Sequence, residues 1–467
     1  MLTYSFTNLK NESLYMHLYQ CIRQDIVDGK LVSGEKLPSK RSFAKNLGLS
    51  TITIENAYAQ LLSEGYIYSI PKKGFYVSDF KNNVIKPVRL TTENVKLSSG
   101  QSDFLADFSS NQTRPENFPF SIWAKLMRET FNTNSPELMT KPPCGGIMGL
   151  RQAIATHLEQ FRGMHVQPEQ IFIGAGTEYL YGLLIQLLGF DKKYAIENPG
   201  YEKIAAIYNS YNVAYHYIPM DNNGILVDEL EKSEADVVHI SPSHHFPTGI
   251  VTPISRRYEL LGWAAASADR YIIEDDYDSE FRYKGKPIPA LQGIDRSGRV
   301  IYLGTFSKSI ASSIRVSYMV LPEHLLERYQ ECCGFYACTV PNLMQQAICQ
   351  FMQEGYFEKN LNRMRAIYKS KHDFMLAELK KYSWVREIMG ENSGLHLLVE
   401  VDTDCSEQDV IEACAEQQIR VYGLSEYYIS QNPKREYPIL LLGYGGLTEG
   451  QIADGLQLID AILKQNE

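Results

Sequence analysis

At 467 residues, with 44% hydrophobic and 22% charged residues, the chain has the make-up of a globular protein of two or three domains. A formal net charge of −9 argues against a protein that coats nucleic acid, and no apolar run reaches the ~20 residues that span a bilayer. The polar start MLTYSFTNLKNES lacks a signal peptide's basic and apolar regions, so a cytoplasmic protein is expected, with its eight cysteines reduced because no CxxC pair or histidine spacing suggests zinc or a disulfide framework.

Charge is uneven. Residues 1–80 carry nine Lys/Arg and seven Asp/Glu, a net of +2, which leaves −11 for the remainder of the −9 total. Leu14, Leu18, Ile22 and Ile26 recur every four residues up to Gly29, predicting an amphipathic helix with a glycine stop. Ser39 can cap a second helix ending at Leu47-Gly48, and Ser50 a third running to about Ser63. Two helices joined by so short a turn have the build of a helix-turn-helix. A hairpin follows, from Tyr66 to Val77, with Pro71-Lys72-Lys73-Gly74 at its tip. A DNA reader needs a helix start that enters the major groove and flanking groups that hold phosphate. Ser39, Lys40, Arg41, Lys72 and Lys73 meet the phosphate half of that requirement, although such residues also suit a plain solvated face.

These residues resemble the winged helix of the GntR family of bacterial regulators. LPSKRSFAKNLGLSTITIENAYAQLLSEGYI, positions 37 to 67, matches that pattern nearly end to end. The resemblance implies phosphate contacts from Ser39, Lys40 and Arg41, a third helix whose start at Ser50 faces bases with Thr51 and Thr53 able to contact bases or phosphate, and a wing turning at Gly74. Thr51 stands where many members carry arginine.

Residues 79–105 are polar and without periodicity and are expected to be a linker between a domain at 1–78 and one at 106–467. Beyond it, short apolar strands (Ile171–Ile173, Tyr194–Ile196, Val237–Ile240, Tyr271–Ile273, Val300–Leu303, Tyr318–Leu321) alternate with helix-length segments, which predicts an α/β fold with a mostly parallel sheet covered by helices on both faces. Chemistry collects where strands end. Gly174-Ala175-Gly176-Thr177 leads into an apolar helix and can cradle a phosphate on free N–H groups. Glu274 to Glu280 is an acidic cluster that needs a cation nearby, and Lys308 lies in the Ser-rich loop GTFSKSIASSIR. Each alone fits an ordinary turn or surface loop as well. Together a phosphate cradle, a carboxylate, the aromatic Tyr201 and a lysine are the parts that hold pyridoxal 5′-phosphate (PLP), with Lys308 forming a Schiff base and Thr305, Ser307 and Arg315 holding the phosphate.

Residues from about 106 to 462 resemble a fold-type I aminotransferase, and the order of winged helix, linker and aminotransferase domain is similar to the MocR/GabR group of GntR regulators. The matching signatures include Glu197-Asn198-Pro199-Gly200-Tyr201, Pro247-Thr248-Gly249, EDDYDSEFRY from Glu274, and GTFSK ending at Lys308. The resemblance implies that Lys308 is the Schiff-base lysine, Asp275 the pyridinium partner and Tyr277 the contact to the ring's phenolic oxygen. It implies that Tyr201 stacks on the ring, that Gly176, Thr177, Thr305, Ser307 and Arg315 form the phosphate site, and that the chain is a head-to-tail homodimer.

Departures from the pattern bear on activity. Phe246 stands where aminotransferases place asparagine, with His244 or His245 as substitutes or as packed core. Lys141 replaces a tyrosine lent across the dimer; Ser312, Ser313 and Ser317 replace Pro-Gly and glycine. The C-terminal strand Ile439–Gly443 supplies no arginine for an α-carboxylate, leaving Arg420, Arg435 and Lys203 as stand-ins or surface charges. Two functions remain in view: a DNA-binding regulator that senses PLP or an amino compound through an aldimine at Lys308, with transamination weak or absent, and an active aminotransferase with an accessory domain.

Overall fold

The computed structural model describes residues 2–6, 13–79, 104–109, 114–132, 136–283, 288–429 and 436–465. Nearly all of the expected linker, and the candidate ligand Arg435, lie outside the described residues. The chain divides into two compact units, Met1–Gly100 and Gln101–Glu467.

In the first unit three helices, α1 (Leu14–Val27), α2 (Lys40–Leu47) and α3 (Thr51–Ser63), precede a hairpin of β1 (Ile67–Ile70) and β2 (Gly74–Val77). Of the four periodic residues of α1, Leu18, Ile22 and Ile26 are buried, with Phe43, Ile54, Tyr58 and Leu61 from the neighbouring helices, whereas Leu14 stays exposed at the helix start. Serine hydroxyls cap the two later helices: Ser39 Oγ accepts from Ser42 N at 3.2 Å and Ser50 Oγ from Thr53 N at 3.1 Å. Between them Gly48 turns the chain in the left-handed region at φ 64°. The hairpin tip is a tight turn in which Lys73 N donates to Ile70 O at 3.0 Å, with Pro71 first and Lys72, at φ 62°, second. That is type II geometry carrying lysine where glycine or asparagine is favoured. Residues 34–37 run beside β2, Leu37 N donating to Phe75 O at 2.9 Å.

The second unit opens with β3 (Ala106–Asp107), α4 (Phe120–Asn132) and α5 (Met148–Arg162). Its main sheet contains β4 (Ile171–Gly174), β5 (Lys193–Asn198), β6 (Ala214–Asp221), β7 (Gly224–Ile225), β8 (Val237–Ile240), β9 (Tyr271–Asp276), β10 (Val300–Thr305) and β11 (Ser317–Val320), in the order β4-β11-β10-β9-β8-β5-β6-β7. β10, β9, β8, β5 and β6 pair in parallel, while β11 runs antiparallel between β10 and β4. The short connection from β10 to β11, residues 306–316, cannot carry a crossover helix, so β11 returns as a reversed strand inside the layer, and the short edge strand β7 is reversed against β6. Helix α6 (Thr177–Leu188), with eight buried residues, packs between this sheet and neighbouring helices. A smaller antiparallel sheet of β12 (Val385–Met389), β13 (His396–Val401), β15 (Tyr422–Gly423) and β16 (Ile439–Gly443) follows, after β14 (Ile419–Arg420) is set aside to pair with β3.

Three consecutive carboxylates, Glu274, Asp275 and Asp276, lie buried in β9. Strand alternation sends Glu274 and Asp276 to one face and Asp275 to the other. On the first face Arg162 Nη2 lies 2.8 Å from Asp276 Oδ2, Tyr302 OH donates to the same oxygen at 2.7 Å, and Glu274 accepts from Leu291 N and Gln292 N at 2.8 Å each. Replacing Arg162 by Met leaves Asp276 without its charge partner, and loss of about 3–5 kcal/mol is expected in a denaturant titration of the second unit's unfolding.

Candidate functional site

A cavity of about 1290 Å³, open mouth included, lies at the carboxyl ends of β4, β5, β8, β9 and β10. Open α/β sheets place ligands there because backbone groups and loop side chains converge where the ladders stop. Its walls include Thr177, Tyr201, Asp275, Tyr277, Thr305, Ser307, Lys308 and Arg315, which the sequence places on separate segments. Gly176, at φ 96°, stands at the edge; a Cβ there would fall 2.4 Å from Arg315 Nη2. The close approach is open only to glycine.

Lys308 is partly buried, and loss of water lowers its pKa to about 8, against the opposing charge of Asp278. Asp275 accepts from Tyr181 OH at 2.5 Å through Oδ2, and His239 Nε2 lies 3.7 Å from the same oxygen. Its other oxygen, Oδ1, is buried with no hydrogen-bond partner among the described residues. A buried carboxylate oxygen left open toward a cavity calls for a donor. Thr305 Oγ1 is tied to Ser307 Oγ at 3.0 Å and receives Ser317 Oγ at 2.9 Å, so the serine that replaces a common glycine steadies the loop.

Glu178, which the sequence reading passed over, occupies the cationic end. Arg315 Nη2 lies 2.5 Å from Glu178 Oε2, and Lys203 Nζ 2.5 Å from Oε1. Burial opposes ionisation of Glu178, but the Lys203 hydrogen bond and the Arg315 charge prevail and hold its pKa below the usual range. Lys203 is thus committed to Glu178 in the cavity wall. Arg420 is elsewhere, 3.9 Å from Asp107 and over the Phe104 and Tyr422 rings; Lys141 is exposed and outside the wall.

Phe246 lines the cavity and meets Tyr201 edge-on, ring centroids 5.7 Å apart. Both neighbouring histidines are buried behind the wall. His245 Nδ1 bonds Thr248 Oγ1 at 2.7 Å and its Nε2 lies 3.5 Å from Glu197 Oε2, in a setting where burial lowers the histidine to about 3 and raises the glutamate to about 8. His244 Nδ1 lies 2.9 Å from Asp278 Oδ2 and 3.2 Å from Tyr277 OH. Neither histidine takes the place in the wall that Phe246 fills.

These residues fit PLP. Arg315, Thr177 and Ser307 can donate to a phosphate, the open Asp275 oxygen can accept from a protonated pyridine nitrogen, and Lys308 supplies an amine of reduced basicity.

In the first unit Ser39 and Ser50 have their hydroxyls engaged as helix caps, and Lys40 Nζ is 2.5 Å from Glu55 Oε1 and over the Phe75 ring. Arg41, Thr51, Lys72 and Lys73 are exposed, and Thr53 is partly so. Lys36, not singled out from the sequence, lies over the Tyr76 ring beside Gly74 and adds a third lysine to the wing. Ile52, 68% exposed near the start of α3, is apolar where a buried role was available only to Ile54.

A strand-end site of this composition on a mixed eight-stranded sheet defines an aminotransferase-type domain, here carried behind a winged helix-turn-helix. The model of the family "Aminotransferase class I and II", which is PLP-dependent, matches residues 104–435, and that of "Bacterial regulatory proteins, gntR family" matches residues 14–77. The uncharacterized HTH-type transcriptional regulator YhdI of Bacillus subtilis is 38% identical over 95% of this chain and 94% of its own. The HTH-type pyridoxine biosynthesis transcriptional regulator PdxR of Corynebacterium glutamicum is 30% identical, with 89% of each covered. Among solved structures, an archaeal alanine:glyoxylate aminotransferase superposes with a TM-score of 0.69 at 23% identity, over 78% of this chain and 91% of its own, a likeness of fold. The chain belongs to the MocR-type transcriptional regulators, GntR-family DNA-binding proteins with an aminotransferase class I and II domain.

Because Glu178 pairs with Arg315 and Lys203, cations that a phosphate would also take, Glu178→Gln is expected to tighten PLP binding about tenfold, the scale of one exposed charge at close range, in an absorbance titration.

Proposed function

We propose that the second unit binds PLP at Lys308 and that PLP, or an amino compound that displaces Lys308 from it, sets how the winged helices engage DNA. The observation that carries this reading is the convergence of Lys308, Asp275 and Arg315 on one cavity in a chain whose other unit is a winged helix. PLP, when bound, supplies a carbonyl that condenses with amines and a ring that withdraws electrons. Lys308 offers the amine, Asp275 Oδ1 accepts the ring's N–H, Arg315 with Thr177, Thr305 and Ser307 takes the phosphate, and Tyr201 covers the ring face.

A head-to-tail homodimer in the cytoplasm would carry two winged helices to two half-sites. Arg41, Lys72 and Lys73 hold phosphates, with Ser39 and Lys40 at the same helix start, while Ser50, Thr51 and Thr53 face bases and Gly74 shapes the wing. The relative PdxR, named for pyridoxine biosynthesis, supports a cofactor-linked effector. An active aminotransferase would need a cation for an α-carboxylate. Among the described residues of the wall, Arg315 is the sole arginine and is paired with Glu178, which favours the regulator.

Covalently held PLP absorbs in the visible, and Lys308→Ala should abolish that band. Capture should rise with pH through about 8, because the neutral amine is the reactive form and burial makes it available below the ordinary lysine range; a rise delayed to that range would place the amine elsewhere.

For DNA, fluorescence anisotropy of PLP-loaded and PLP-free protein against the duplex upstream of its own gene should show a preference of ~10³ or more over a scrambled duplex, changed by PLP. Arg41→Ala should weaken binding to both duplexes and reduce the salt slope by about 1. Equal, weak binding to both duplexes, with turnover in a transaminase assay, would favour the enzyme instead.

A further inference from the structure

With Phe246 in the place of asparagine, the hydroxyl of Tyr277 is the side-chain group left to face the phenolic oxygen of PLP, and a phenol can donate or accept. The nearest polar atom behind it decides. His244 Nδ1 is 3.2 Å from Tyr277 OH, yet the same nitrogen lies 3.0 Å and 2.9 Å from the two oxygens of Asp278. An imidazole nitrogen has one in-plane site, occupied by a proton or a lone pair. Asp278 fills it: a carboxylate only accepts, so its two oxygens hold the ring's proton on Nδ1, and Tyr277 cannot give its own proton there. The phenol oxygen can only accept from Nδ1–H, and its hydrogen is left to point into the cavity that Tyr277 lines.

The ring is locked in that pose. His244 is 3% exposed, and its ring fills the space in front of Gly394, where a Cβ would fall 2.1 Å from Cε1. The charged groups facing Tyr277 are Asp275, Asp276 and Asp278 from its own segment and Glu197 from β5; burial first, then these anions, push its pKa well above the ordinary phenol value, so it keeps the proton it would donate. His244 itself faces His245 and His396 besides Asp278.

We infer that His244, held by Asp278, is a positioning residue that fixes Tyr277 as a hydrogen-bond donor to the phenolic oxygen of PLP and takes over part of the work of the missing asparagine. This rests on PLP binding at Lys308. A donor at the phenolic oxygen stabilises its negative charge and lowers the pH at which the bound cofactor's visible absorbance changes.

The test is that absorbance midpoint in full-length, PLP-loaded protein. Tyr277→Phe should raise it, and His244→Ala should raise it part of the way, by about 0.5 pH unit or a threefold change in proton affinity. In the Tyr277→Phe background His244→Ala should add nothing, because its effect passes through the phenol. His244→Asn, whose amide N–H can serve Asp278 and Tyr277, should stay near the wild type. His244→Phe fills the same space without a nitrogen and should behave as alanine does, which keeps the test open if the alanine variant does not fold. An unmoved midpoint in both nitrogen-free variants, or the same shift with and without Tyr277, overturns the inference. Wild-type protein with no visible band would instead remove the PLP reading beneath it.

Discussion

The second unit depends on how β9 buries three adjacent carboxylates. Buried carboxylates are poorly hydrated, so each needs a partner inside the protein or it forfeits several kcal/mol. The two that share a face are satisfied in full: Asp276 by Arg162 and Tyr302, Glu274 by two backbone N–H groups near Arg257. Asp275, sent to the other face by the two-residue period of the strand, is satisfied among the described residues on one oxygen only. The fold thus spends its cations on the structural face and leaves one carboxylate valence open where the strand ends and the cavity begins. The same alternation that makes a strand makes the site.

Much of this was legible in the sequence, and the reasons are local. Serine caps, the Gly48 turn and the apolar period of four mark the helices of the first unit because each depends on residues a few positions apart. The cavity residues could be gathered from strand ends because parallel strands all stop at one edge. Contacts between segments distant in sequence were not legible. Glu178 sits in the glycine-rich turn that reads as a phosphate cradle, and nothing within that turn tells that its carboxylate meets Arg315, 137 positions away. The role of His244 depends on a Tyr277 hydroxyl, 33 positions away, that only folding brings within 3.2 Å. The reversed strand β11 was likewise hidden, since direction follows from loop length and partner rather than from an apolar run.

The first unit shows the same division between local and distant signals. Lys40 reads as a phosphate contact from its place at a helix start, yet its ammonium is paired with Glu55 on α3 and lies over Phe75. An exposed pair of this kind is worth little in water, so a phosphate can displace the carboxylate at small cost. Positive charge on this surface is therefore partly held in reserve rather than displayed.

In the proposed reading, the cationic end of the cavity works by the same exchange. Arg315 and Lys203 are not idle cations awaiting a phosphate; both close on Glu178. A phosphate entering there must displace or share with a carboxylate, so part of its attraction to Arg315 offsets the loss of an existing ion pair. A catalyst that keeps its cofactor through many turnovers gains nothing from such competition. A sensor does gain, because a ligand shifts a two-state equilibrium only through the difference between its affinities for the two states, and an internal anion that shares the same cations moderates how tightly the ligand is held. The ion pairs of Glu178 and the open oxygen of Asp275 are then two parts of one device, the first making occupancy reversible and the second making it selective for a ring that carries a proton.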